Sequence, residues 1–121
     1  MTDVYKLFIY ILLYKKSYIL YVILRQDSML EKELEKKLVK AIKSLGGLCW
    51  KLTSPGTVGV PDRICLLNKG KIIFVEVKRE GETLRPVQKK RKQELEKLGF
   101  KVFVLDSEEK IQEVLNEIQS L

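Results

Sequence analysis

The stretch Gly59-Val60-Pro61-Asp62-Arg63-Ile64-Cys65-Leu66-Leu67-Asn68-Lys69-Gly70-Lys71-Ile72-Ile73-Phe74-Val75-Glu76-Val77-Lys78 decides how this chain is read. Asp62–Asn68 and Lys71–Lys78 read as two strands, and Lys69-Gly70 as the turn that makes them a hairpin. Side chains of a strand alternate between its faces, so Ile72, Phe74, Glu76 and Lys78 share one side. Ile73, Val75 and Val77 share the other. An otherwise apolar strand therefore ends in a carboxylate and an ammonium on one face, about 7 Å apart along the backbone. Asp62, at the start of the partner strand, can reach the same end of the sheet.

On either side of the hairpin the periods of helix and strand alternate. Leu30, Leu34, Leu38, Ile42 and Leu45 recur every three or four residues and mark a helix from about Met29 to Leu45, stopped by Gly46-Gly47. A short strand, Leu48–Leu52, follows, then a loop over residues 53–61 rich in Pro and Gly. After Arg79–Arg85, Pro86 opens a helix that runs to Leu98 and ends at Gly99. Phe100–Leu105 is a strand, and Asp106-Ser107-Glu108-Glu109 reads as a capping box before a last helix ending near Ser120. The order is αβββαβα. Strand, helix and strand across residues 71–105 imply a parallel crossover, so the fold class is α/β with a mixed sheet of about four strands.

Composition limits the chemistry. The chain has 121 residues, 23 Lys+Arg against 16 Asp+Glu, a net charge of +7, two Cys and no His. Without His there is no Ser-His-Asp triad, no Cys-His pair and no His-bearing zinc site. Cys49 and Cys65, sixteen apart, form neither a redox CxxC nor a disulfide framework and read as small core residues of a cytoplasmic protein. Catalysis is left to carboxylates, Lys and a metal ion. Two carboxylates beside a Lys make a hard-cation site of the kind Mg²⁺ or Mn²⁺ prefers, and the Lys can position or activate a water. An isolated Glu-x-Lys triplet is more often a surface pair; the whole constellation of Asp62, Glu76, Lys78 and Gln88 is what points to a site.

Residues 1–28 differ from the rest. All five Tyr lie there, and without this segment 19 cations against 14 anions leave +5 for residues 29–121. Its apolar runs, Leu7–Tyr14 and Tyr18–Leu24, are split by Lys15-Lys16-Ser17, and neither has the roughly 20 residues a membrane crossing requires. Three readings stand: an upstream extension from a misplaced start, an extra packed element, or membrane or partner contact through residues 4–24. Met29, directly before the first well-patterned helix, favours the first and disfavours the membrane.

Gly59–Asp62, then Glu76-Val77-Lys78, then Gln88 opening a helix together resemble the virus-type replication-repair nuclease (VRR-NUC) domain, a branch of the PD-(D/E)xK nuclease superfamily, in its stand-alone phage or bacterial type. The resemblance covers residues 29–121 and implies a restriction-endonuclease-like core. It implies Asp62, Glu76 and the Val77 carbonyl as ligands of Mg²⁺ or Mn²⁺, and Lys78 as the group that orients or deprotonates the attacking water. It places a supporting Glu on the first helix, which is Glu35, with Glu31 one turn earlier as the alternative, and it gives Gln88 a role in shaping the site. It further implies a metal-dependent DNA endonuclease in replication, repair or recombination, leaving 5′-phosphate ends. Branched or flapped DNA as substrate, a homodimer and the cytoplasm of a bacterial host cell follow from the same resemblance.

Arg79, Arg85, Lys89, Lys90, Arg91 and Lys92 cluster just beyond the proposed site and suit phosphate contact, with Lys51 a weaker candidate. Glu94 and Glu96 keep open the simpler reading of a solvated helix face. Trp50 could stack on a base, but a lone Trp on a short strand is more often core. A non-catalytic DNA-binding module would use the same basic helix, yet gives no reason for Asp62, Glu76 and Lys78 to converge.

Overall fold

A computed structural model describes residues 2–121. In chain order the elements are α1 (Thr2–Ser44), β1 (Leu48–Lys51), β2 (Arg63–Leu66), a 3-10 turn (Asn68–Gly70), β3 (Ile72–Val77), α2 (Pro86–Lys97), β4 (Lys101–Leu105) and α3 (Glu109–Ser120). The chain divides into two compact units, residues 1–30 and 31–121, and α1 supplies residues to both.

The second unit carries the expected α/β fold, a four-stranded mixed sheet flanked by helices. Its strand order is β1-β2-β3-β4, antiparallel across β1/β2 and β2/β3 and parallel across β3/β4. The parallel pair is joined through α2, because adjacent parallel strands need a crossover longer than a turn. In the hairpin turn Lys69 takes a left-handed conformation, φ 63°.

Register sorts the side chains into two faces. Cys49, Cys65 and Ile73 lie side by side in one cross-strand row, and Val75, Val77 and Leu105 belong to the same cluster. Leu38 and Ile42 of α1 and Ile111, Val114 and Ile118 of α3 close over this face and form the buried core. The apolar period of the first helix, read from Leu34 to Leu45, is the face that packs here. The opposite face holds the row Trp50, Ile64, Phe74 and, one row further on, Glu76. Phe100, after α2, meets Phe74 edge to face at 5.5 Å.

Two local expectations are revised. The first helix does not begin near Met29; helical backbone extends back to Thr2. Among the described side chains of residues 1–30, most large apolar ones, including Tyr5, Phe8, Tyr10, Leu13 and Tyr18, are exposed. Among the described residues no helix is long and apolar enough to cross a membrane. The capping box before α3 does not form either. Glu108 occupies the cap without capping the helix through its side chain, which accepts from Lys37 instead, and Asp106 pairs with Lys110 at 2.9 Å. A carboxylate with an ammonium four residues on has a charged partner to take in place of the backbone N–H.

Candidate active site

The two carboxylates are brought together by strand register. Arg63 stands opposite Val75, so Asp62, one residue earlier, faces Glu76, one residue later. The ladder on the other side also reaches this row, since the Leu52 N–H donates to the Asp62 carbonyl at 2.8 Å. Asp62 Oδ2 accepts a hydrogen bond from the Val77 N–H at 2.9 Å. In an extended strand a residue's N–H and C=O leave on the same side, so the Val77 carbonyl also points towards the Asp62 side of β3. The Lys78 N–H leaves on the other side and donates to the Leu105 carbonyl at 2.9 Å.

Glu76 is held from above by α2. Gln88 Nε2 donates to Glu76 Oε1 at 3.2 Å, while Gln88 Oε1 accepts from the Arg85 N–H at 2.9 Å. Both ends of the amide are thus committed, which orients its NH₂ towards the carboxyl. The two side chains are the buried polar groups of the domain, Glu76 at 5 % exposure and Gln88 at 8 %. Burial, together with the charge and hydrogen bond of Asp62, pushes the Glu76 carboxyl up to about 8, against the opposing pull of Lys78 and Arg85. Two adjacent carboxyls that cannot both ionise cheaply are what a cation would relieve, and each has one oxygen not tied to the N–H donors above. Among the described residues no cluster of three or more His, Cys, Asp or Glu side chains comes together, and the oxygens that could meet a cation at this pair are those of Asp62, Glu76 and the Val77 carbonyl. That all-oxygen set suits a hard cation which keeps several waters.

The chain matches the VRR-NUC domain family over residues 7–109. It belongs to the VRR-NUC family. The match starts inside the apolar first segment, ahead of Met29. Among curated proteins, one named "Putative nuclease p44", from Acyrthosiphon pisum secondary endosymbiont phage 1, is 45% identical over 87 residues, covering 72% of this chain and 88% of that protein. A solved structure titled "VRR_NUC domain" superposes with a TM-score of 0.68 at 33% identity, over 71% of this chain and 94% of that one. The VRR-NUC domain here is of nuclease type.

In this VRR-NUC domain the motif loop before Asp62 is fixed to α2. Gly59 has φ 83°, and a Cβ there would lie 2.8 Å from the Val87 carbonyl oxygen, so only glycine permits the contact. Arg91 Nε donates to the Val58 carbonyl at 2.8 Å, and its Nη1 pairs with Glu94 at 2.9 Å. Arg91 therefore acts on the loop and not as an open phosphate contact. Sequence reasoning missed this, because a loop carbonyl 33 residues away leaves no local signal.

The two candidate carboxylates of the first helix, Glu31 and Glu35, meet different arginines. Glu31 feels the charges of Asp62 and Lys78, lies 3.9 Å from Arg79, and has its carboxyl raised, first by burial and then by Glu82. Glu35 sits 3.5 Å from Arg63 Nε. Arg63 follows Asp62 in the chain and so leaves the sheet by the opposite face. Its buried Nε has no hydrogen bond despite that proximity.

Among the other basic candidates, Lys89, Lys90, Arg85 and Lys51 are exposed. Lys92 pairs with Glu96 at 2.6 Å and Arg79 with Glu82 at 3.1 Å. Trp50 is not core: it is 55 % exposed, because β1 is an edge strand and Trp50 points to the face away from α1 and α3. Cys49 and Cys65 are buried in the core, directly paired across β1 and β2 with sulfurs 3.5 Å apart.

Proposed function

We propose that this protein is a Mg²⁺- or Mn²⁺-dependent DNA endonuclease selective for branched or flapped DNA, working as a homodimer in replication, repair or recombination. The observation that carries the reading is the buried Glu76 beside Asp62, steadied by Gln88 and followed by Lys78 at the open end of β3. Asp62, Glu76 and the Val77 carbonyl would hold the cation, which when bound neutralises the phosphodiester so that a nucleophile can approach. Gln88 and the Val77 N–H orient the two carboxylates. Lys78 lies on the Glu76 side of the chain, where its ammonium can orient the attacking water and meet the charge developing on the phosphate. Glu31 adds a third carboxylate at the margin of this field, in the supporting role for which the family resemblance suggested Glu35. Exposed Lys89, Lys90, Arg85 and Lys51 supply salt-dependent affinity for the backbone.

The test is cleavage by the full chain of labelled duplex, flap and four-way-junction DNA with Mg²⁺, Mn²⁺ or EDTA, beside Asp62→Ala and Lys78→Ala. Cutting of the flap and junction that needs metal and both side chains supports the reading. No cutting with either metal, or equal cutting by both variants, overturns it. Binding without cutting would favour a DNA-binding module.

A further inference from the structure

The row of the sheet next to the carboxylate pair carries an aromatic ring that the mechanism above does not use. Trp50, Ile64 and Phe74 are neighbours across β1, β2 and β3, and the next row on the same face is Leu52, Asp62 and Glu76. Rows on one face repeat every second residue, about 7 Å along the strand, and neighbouring strands are about 5 Å apart. Trp50 thus stands diagonally next to Asp62 on the face where Glu76 is held. At the β3 end of its row Phe74 is covered by Phe100, whereas at the β1 end Trp50 stays 55 % exposed and Leu48 46 % exposed.

The surroundings favour nucleic acid as the occupant. Lys89 and Lys90 are exposed on α2, which packs on the site's side of the sheet, and the whole chain carries a net charge of +7. A second copy would bring the same positive charge, and two exposed side chains are far short of the roughly 800 Å² per partner of a stable protein interface. In duplex DNA the base faces are covered by their neighbours, so an indole can stack only on a base that is unpaired or turned out.

From this juxtaposition we infer that Trp50 is a specificity-determining residue, stacking on an unpaired base adjacent to the phosphate presented to Asp62 and Glu76. The inference rests on the nuclease reading and adds to it the reason for preferring flaps and branches over plain duplex.

Trp50 is the single Trp of the chain, so fluorescence excited at the red edge of indole absorption reports this position directly. The full-length protein is titrated in EDTA with an oligothymidylate, a flapped duplex and a blunt duplex, and binding is followed in parallel by anisotropy of labelled DNA. The expected result is quenching by the first two and not by the third. Trp50→Ala should weaken binding of the oligothymidylate at least about fivefold, with Trp50→Phe between it and wild type and blunt-duplex affinity unchanged. Unchanged fluorescence on a DNA that demonstrably binds overturns the inference. So does equal affinity of Trp50→Ala and wild type, or a Trp50→Ala chain that changes oligomeric state on size exclusion with light scattering. If wild type still cuts flaps with metal in any of these cases, the nuclease reading survives and this inference alone fails. A protein that neither binds nor cuts DNA removes both.

Discussion

The two faces of the sheet are built by opposite rules. On one, Cys49, Cys65, Ile73, Val75 and Leu105 are shut in by α1 and α3 with no polar side chain among the buried cluster. On the other, the same strands present Asp62, Glu76 and Trp50, and α2 contributes a buried glutamine hydrogen-bonded to Glu76. The first face supplies hydrophobic stabilisation; the second holds a buried carboxyl away from its ordinary ionisation and leaves an aromatic ring in water. A domain of this size can maintain such a site because the opposing face buries a continuous apolar cluster.

Substitutions should separate these roles. Leu38→Ala, in the packed face, is expected to lower unfolding free energy by about 2–5 kcal/mol in urea titrations, with cleavage per folded molecule unchanged. If activity instead fell far more than the folded fraction, the division between faces would be wrong. Lys78→Ala should do the reverse. Stability stays within about 1 kcal/mol, while the single-turnover cleavage rate drops on the order of 10²–10³-fold.

The pH dependence sharpens the contrast. Glu76 has its carboxyl raised in the fold from 4.5 to about 8, so the folded state binds the proton more tightly than the unfolded state. The stabilisation is fully present below pH 4.5 and is lost as pH rises through 8. Without metal, the melting temperature should fall between pH 5 and pH 9 by about 5 °C or more, and Glu76→Gln should flatten that slope. Millimolar Mg²⁺ should reduce the wild-type slope as well, whereas an identical slope in Glu76→Gln would assign it to another group.

Smaller effects are expected at the rim. Arg91→Ala removes the charged donor to the Val58 carbonyl and should cost about 1.5 kcal/mol, with faster proteolysis of the loop over residues 53–61. Lys92→Ala breaks only a surface pair with Glu96 and should stay within about 0.5 kcal/mol.

The sequence was sufficient for the hairpin, the crossover and the positions of Asp62, Glu76, Lys78 and Gln88, because each is encoded within a few residues by strand alternation, a turn or a helix start. It failed at Asp106, where a local cap signal lost to an ion pair with Lys110, and at the first helix, whose start near Met29 reflected amphipathic patterning while the backbone stays helical from Thr2. It could not choose between Glu31 and Glu35, which lie one turn apart on the same helix.

What the sequence by itself determined is therefore the order of the elements and the identity of the chemical groups, since periodicity and spacing are properties of short segments. Tertiary structure alone decided which groups meet. Antiparallel register set Asp62 opposite Glu76 and Trp50 diagonally next to Asp62, and the packing of the first helix set Glu31 near Arg79 and Glu35 near Arg63. An edge position left the indole exposed. Those outcomes depend on contacts between residues far apart in the chain, which no local pattern records.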